Sequence, residues 1–163
     1  MRFHRSAAGV MFAVLAVLGL VSPAAAGKQV PFRGSLDGVV THTPIDPVFD
    51  SVLVDATGNA THLGQFSLDI PHVVNRADRT AIGSYEFTAA NGDTVFAEFT
   101  GLARPTAVPG VLYIEETATI TGGTGRFAGA SGSFTVERLY DTIAGTTIGS
   151  FEGTISSPGA GNP

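Results

Sequence analysis

From Val30 onward apolar and polar residues alternate with a period of two, and turn residues interrupt the alternation at short, fairly regular intervals. That spacing belongs to half-buried β-strands, whose successive side chains point to opposite faces. Nowhere is the 3.6-residue period of an amphipathic helix sustained. Phe32, Gly34, Leu36, Gly38 and Val40 share one face of a first strand, with Arg33, Ser35 and Asp37 opposite. The two prolines of Thr43-Pro44-Ile45-Asp46-Pro47 are expected to end it, because proline cannot donate to a ladder. A second strand, Val48 to Asp55, is predicted to stop at the turn Thr57-Gly58-Asn59, and a third, from about His62 to Ile70, before the polar loop Asn75 to Arg79. The fourth and fifth, Ala81 to Ala89 and Thr94 to Leu102, flank Ala90-Asn91-Gly92-Asp93. Asn-Gly between alternating runs is a strong hairpin signal. A proline-punctuated loop from Arg104 to Gly110 leads to a sixth strand, Val111 to Thr121, then a seventh, Gly132 to Tyr140, and an eighth, Thr146 to Ser156. Eight short strands in one domain predict an all-β, antiparallel barrel, favoured over an open sandwich because closure leaves no exposed edge.

The first 26 residues stand apart from this pattern. Arg2, His4 and Arg5 precede an apolar run from Ala7 to Val21, and Pro23-Ala24-Ala25-Ala26 places alanine at both positions a signal peptidase reads. The order predicts an export signal cleaved after Ala26, a secreted or periplasmic destination, and no membrane insertion after cleavage. The barrel domain then spans residues 27–156, and the small-residue segment 157–163 reads as a disordered tail.

Charge and cysteine usage narrow the function classes. After the signal, seven Lys and Arg face 14 Asp and Glu, a net charge of −7 without a basic cluster, which argues against binding nucleic acid or anionic lipid. The chain has no cysteine, so disulfide scaffolding, thiol catalysis and cysteine-ligated zinc are excluded together. His42, His62 and His72 lie near predicted loops or strand ends, are not spaced as metal ligands, and read as surface residues. No G-x-S-x-G elbow or calcium-loop ladder of acids is present. Neither a metal nor a cofactor is expected.

The stretch Ile120 to Phe134, ITGGTGRFAGASGSF, is the densest in glycine. A phosphate-binding turn needs its glycines between a strand and a helix, whereas Ser133 to Tyr140 alternates as a strand does. Gly122, Gly123 and Gly125 are therefore read as a tight structural turn, with Phe127 as a buried plug beyond it. The run Gly122-Gly-Thr-Gly-x-Phe127, followed by Ala130 and Gly132, resembles the glycine-rich motif of dirigent proteins and the related allene oxide cyclase barrels. Gly64-x-Phe66 and Gly149-x-Phe151-x-Gly153-x-Ile155 resemble secreted bacterial proteins with that barrel. The chain departs from the dirigent pattern at Ala128 and Ser131, where arginine is common. The resemblance implies an eight-stranded barrel with an apolar cavity for a small hydrophobic molecule, often assembled as a homotrimer.

Strands six and seven carry the sharpest anomaly. Glu116 shares a face with Ile114, Ala118 and Ile120, and Arg138 shares one with Phe134, Val136 and Tyr140. If those faces point inward, a carboxylate and a guanidinium enter the same interior and must pair, because an unpaired buried charge is costly. If they point outward, the two form an ordinary surface pair. Glu116, Arg138, Tyr113 and Tyr140 are the candidate ligand-binding residues, and no catalytic residue is assigned. Three function classes follow: a non-catalytic barrel that holds a small apolar ligand, a cyclase, isomerase or dirigent-like guide that uses the cavity, and an envelope structural or interaction module.

Overall fold

The computed structural model describes residues 27–159. The predicted export signal lies outside the described residues, as do residues 160–163 of the tail. Eight antiparallel strands close into one barrel in chain order: β1 (Gln29–Pro44), β2 (Phe49–Ala60), β3 (Gly64–Asn75), β4 (Thr80–Ala89), β5 (Thr94–Pro105), β6 (Val111–Gly123), β7 (Gly132–Asp141) and β8 (Thr146–Ser156). Pairing of β1 with β8 joins the two ends of the sheet. The only helix among the described residues is the short 3₁₀ turn Gly125–Phe127.

Six strands run past their predicted ends: β5 reaches Pro105, β6 takes in Gly122 and Gly123, which were read as part of the turn, β7 reaches Asp141, and three others go further. β1 continues to Pro44, β2 continues through Thr57-Gly58-Asn59, and β3 runs on through Pro71 to Asn75. Gly58 does not turn the chain; it stays in register with Phe66, whose ring occupies the space a Cβ would fill. The ladder between β3 and β4 skips Ile70 and Pro71, where the proline has no N–H to donate, and resumes at His72 and Gly83. Turn chemistry is thus overridden by continuous pairing around the barrel.

Packing follows the alternation. Inward-facing Phe32, Phe66, Tyr85, Phe87, Phe99, Phe134 and Phe151 fill one half of the interior, each at most 5% exposed. Their rings meet mostly edge-on or tilted, with Phe32 5.4 Å from Phe134 and Tyr85 4.8 Å from Phe99 between centroids. Contacts of this geometry add about 0.5–1.5 kcal/mol each beyond area burial. Large side chains are accommodated by glycines on the neighbouring strand: Gly58 faces Phe66, Gly34 faces Phe151, and Gly153 faces Phe134.

The two ends of the barrel differ. One is sealed by the connections 61–63, 90–93 and 124–131, and Leu63 and Phe127 are buried beneath them. The glycine-rich stretch belongs here. Gly125 has φ +56°, and the Asp93 carboxylate lies where its Cβ would be, so both conformation and space demand glycine. Arg126 lies 4.9 Å over the Phe127 ring and donates to the His62 carbonyl at 2.9 Å, pinning the plug. The opposite end, ringed by the connections 45–48, 76–79, 106–110 and 142–145, is the mouth.

Candidate functional site

Polar side chains replace aromatics in the half of the interior nearer the mouth. The alternation that puts Val136 and Phe134 inside also puts Arg138 inside on β7, and Glu116 follows Ala118 and Ile120 on β6. Glu116 is 1% and Arg138 3% exposed. Arg138 grips the carboxylate with two hydrogen bonds, Nε to Oε2 at 3.0 Å and Nη2 to Oε1 at 2.7 Å. The Tyr85 hydroxyl, from β4, donates to Oε2 at 2.5 Å. Arg138 Nη1 donates to Thr147 Oγ1 at 3.5 Å, and Thr147 passes its own hydrogen to the Leu139 carbonyl at 2.9 Å.

Glycines again make the room. Gly101 faces Glu116 and Gly149 faces Arg138 in register; a Cβ at Gly149 would stand 2.5 Å from both the Glu137 carbonyl and Arg138 Cβ. Burial draws the Arg138 pKa down, but the hydrogen bonds and charge of Glu116 outweigh it and leave it raised, so the guanidinium stays charged. Burial, reinforced by the Glu116 charge, pushes the Tyr85 phenol well above its ordinary value, so Tyr85 is a fixed donor. Both carboxylate oxygens are occupied within the protein. The network therefore forms a rigid, charged floor to the mouth, with little capacity left at Glu116 for acid or base work.

Nearer the rim, His42 on β1, Asp50 on β2, His72 on β3 and Tyr140 on β7 also face inward. His72 is 8% exposed, hydrogen-bonded through Nδ1 to the Ile70 carbonyl at 2.9 Å, and edge-on to Phe99. Only an N–H can bond a carbonyl, so Nδ1 carries the proton and Nε2 presents a lone pair. Burial lowers the His72 pKa, the Ile70 bond opposes that, and nearby Arg138 lowers it further, which keeps the ring neutral at pH 7. His42 Nε2 and the Tyr140 hydroxyl are 2.9 Å apart with their rings stacked. Desolvation raises the Tyr140 pKa, and Arg138 partly offsets this.

The sequence reading of His72 as a surface residue is corrected by the structure, whereas His42 is exposed, as read. His72 is interior, because β3 extends beyond Ile70 in the same alternation, and His42 stands at the rim, because β1 extends past Val40. Of the residues singled out from sequence, Glu116 and Arg138 meet directly, and Tyr140 joins the rim above them. Tyr113 points outward beside Glu137 and takes no part in the network. Tyr85, Asp50 and Arg76 were not singled out, and His42 was weighed only as a metal ligand. Phe87 and Ala89 behind Tyr85, and Val52 and Val54 behind Asp50, carry the alternation that would have marked two of them.

Concavity and chemistry lie apart in this molecule. Two grooves of about 670 Å³ occur on the outer wall, one lined by Tyr113, Glu137, Leu139 and Ile148, the other by Asn59, Gln65 and Thr88. The hydrogen-bonded network lies instead inside the barrel, and it is there that a ligand would meet oriented polar groups. Among the described residues, no group of three or more His, Asp or Glu is placed to hold a metal ion.

No protein-family model matches the sequence, and no curated protein does either. Among solved structures, a pterocarpan synthase dirigent protein superposes with a TM-score of 0.57 over 89% of this chain and 98% of that chain, at 13% identity. The barrel is therefore dirigent-like in fold, as the glycine-rich motif implied. At this identity the likeness extends to architecture alone.

Proposed function

We propose that the protein is an exported, non-catalytic barrel module that holds a small, largely apolar ligand in its mouth. One observation carries the reading. Val40, Val74, Ala81, Ala103, Leu112 and Ile114 face inward toward the mouth yet remain only partly buried, unlike the sealed aromatic half. Apolar side chains that face an interior and still touch water form the lining a ligand's apolar surface can cover. The charged floor and the neutral His72 ring supply orientation.

The dirigent-like neighbour supports a second reading, in which the same cup orients a reactive intermediate without itself reacting. The order of basic start, apolar core and Ala-x-Ala supports export. Titration with the neutral fluorophore N-phenyl-1-naphthylamine tests the cup. Saturable enhancement is expected in the wild type, and its loss in Ala103→Trp, which fills the mouth, with unchanged thermal stability. An enhancement that survives Ala103→Trp, or no saturable binding by the wild type, would overturn the proposal.

A further inference from the structure

Outward positions of the strands are mostly polar, but an apolar row crosses three neighbouring strands on the outer wall. Tyr113 on β6 is in register with Leu139 on β7, and Leu139 with Ile148 on β8. Val39 on β1 lies diagonally across from Ile148, whose direct partner is Asp37. Ile148, Val39 and Leu139 are 60, 54 and 42% exposed. Large apolar side chains set side by side in water mark a contact surface, where single ones would be ordinary. Tyr113, Leu139 and Ile148 wall a groove of about 670 Å³ that also takes in Asp37 and Thr57. Through those two residues it runs into a second depression of about 350 Å³, flanked by Asp55 on β2 and Asp69 on β3. The trough thus crosses the wall from β6 through the β8–β1 seam to β3. At about 4.8 Å per strand that is about 24 Å, the reach of about seven extended residues.

The two ends of the trough differ in charge. Elsewhere the protein compensates its carboxylates from within: Glu116 with Arg138, Asp50 with Arg76 and His42, Asp93 with Arg126, and Glu152 with Arg33. Asp37, Asp55, Asp69 and Glu137 take part in no ion pair among the described residues. Asp55 and Asp69 stand directly opposite each other, an arrangement that repels. Desolvation and the Asp55 carboxylate raise the Asp69 pKa accordingly. Arg104, in register with Tyr113, stands at the apolar end, so the basic residues of a partner are directed to the other. A second copy of this acidic chain would bring carboxylates against carboxylates here. A partner with basic residues relieves the repulsion while its apolar side chains cover Leu139 and Ile148.

We infer that this trough docks a short cationic, amphipathic segment of a partner protein. Apolar residues of that segment pack against Tyr113, Leu139 and Ile148, and its Lys or Arg residues lie over Asp37, Asp55 and Asp69. The surface is on the outer wall and is separate from the ligand-holding mouth.

Amide chemical-shift titrations of the wild-type protein with three synthetic octapeptides test the docking: LFLGKGKK, its acidic counterpart LFLGEGEE, and SSSGKGKK, which lacks the apolar residues. The first is expected to bind at least about tenfold more tightly than either control, with shifts centred on Asp37, Asp55, Leu139 and Ile148 and an affinity that falls as salt rises. Ile148→Ser, and the double replacement Asp37→Asn with Asp55→Asn, change only exposed side chains and should each weaken binding at least about threefold. Equal affinity for LFLGKGKK and either control, shifts centred elsewhere, or no shift at millimolar peptide overturns the proposal. So does an affinity that either variant leaves unchanged. Concentration-dependent shifts at Leu139 and Ile148 in the protein alone, abolished by Ile148→Ser, would give the face to a second copy and overturn it as well.

Discussion

Removing Glu116 should cost more than any exposed ion pair in this molecule. Glu116→Ala leaves Arg138, 3% exposed and held in its charged form, without a counter-ion, and deprives the fully buried Tyr85 hydroxyl of its acceptor. Breaking a buried pair costs about 3–5 kcal/mol, most of it from the charge left behind. A domain of this size is stable by about 5–15 kcal/mol in total, so the variant should be near its limit. About 2.1 cal/mol/K of unfolding entropy per residue converts the loss to a fall of roughly 10–18 °C in Tm. Arg138→Ala should lose a similar amount by stranding Glu116. The double replacement Glu116→Leu with Arg138→Met should recover most of the loss, because no charge remains to be desolvated. Urea denaturation of the four proteins, with m-values compared to confirm two-state unfolding, measures the losses and the recovery. Single variants within about 1 kcal/mol of wild type would refute the argument, since that is the range of exposed pairs. So would a double variant as unstable as the sum of the singles.

Two further outcomes follow from titratable groups. His72 is kept neutral by burial, so its folded pKa lies below the unfolded value of about 6.5; its contribution is present above that pH and is lost as pH falls through the folded pKa. Stability should therefore drop below about pH 6.5, with Arg138, Glu116 and His42 the charged and titratable neighbours, and His72→Gln should flatten that part of the profile measured by urea melts; an unchanged slope would refute the assignment. On the outer wall Asp69 sits in register between Asp55 and Glu86, and desolvation together with those two carboxylates raises its pKa. A raised carboxylate pKa means that stability present at low pH is lost as pH rises through it, so Asp69→Asn should raise Tm at pH 7, less so below about pH 4 and less in high salt. A lower Tm at pH 7 and low salt would show that the row is not repulsive.

The alternation of residue types by itself determined the strand count, the all-β class, and which residues share a face on each strand. Glu116 lies with Ile114 and Ala118, and Arg138 with Val136, whatever the rest of the chain does, because side chains alternate strictly along a strand. Gly125 and the Phe127 plug were legible for a similar reason, since positive-φ freedom and a following strand are local properties, whereas Gly122 and Gly123, read as part of the turn, pair with β5 at the end of β6. Strand ends were not. Thr57-Gly58-Asn59 and Pro71 carry turn or breaker chemistry, yet each lies within a paired strand, because pairing on both sides of a closed barrel outweighs a weak local preference. For that reason His72, beyond the predicted end of its strand, was misplaced at the surface. Only the tertiary structure decided who meets whom. Tyr85 and Glu116 are 31 residues apart, and His42 and Tyr140 are 98. Their meeting depends on register summed around eight strands and fixed by the closing pair β1 and β8, and a shift of one residue anywhere in that circuit would turn a strand's inner face outward.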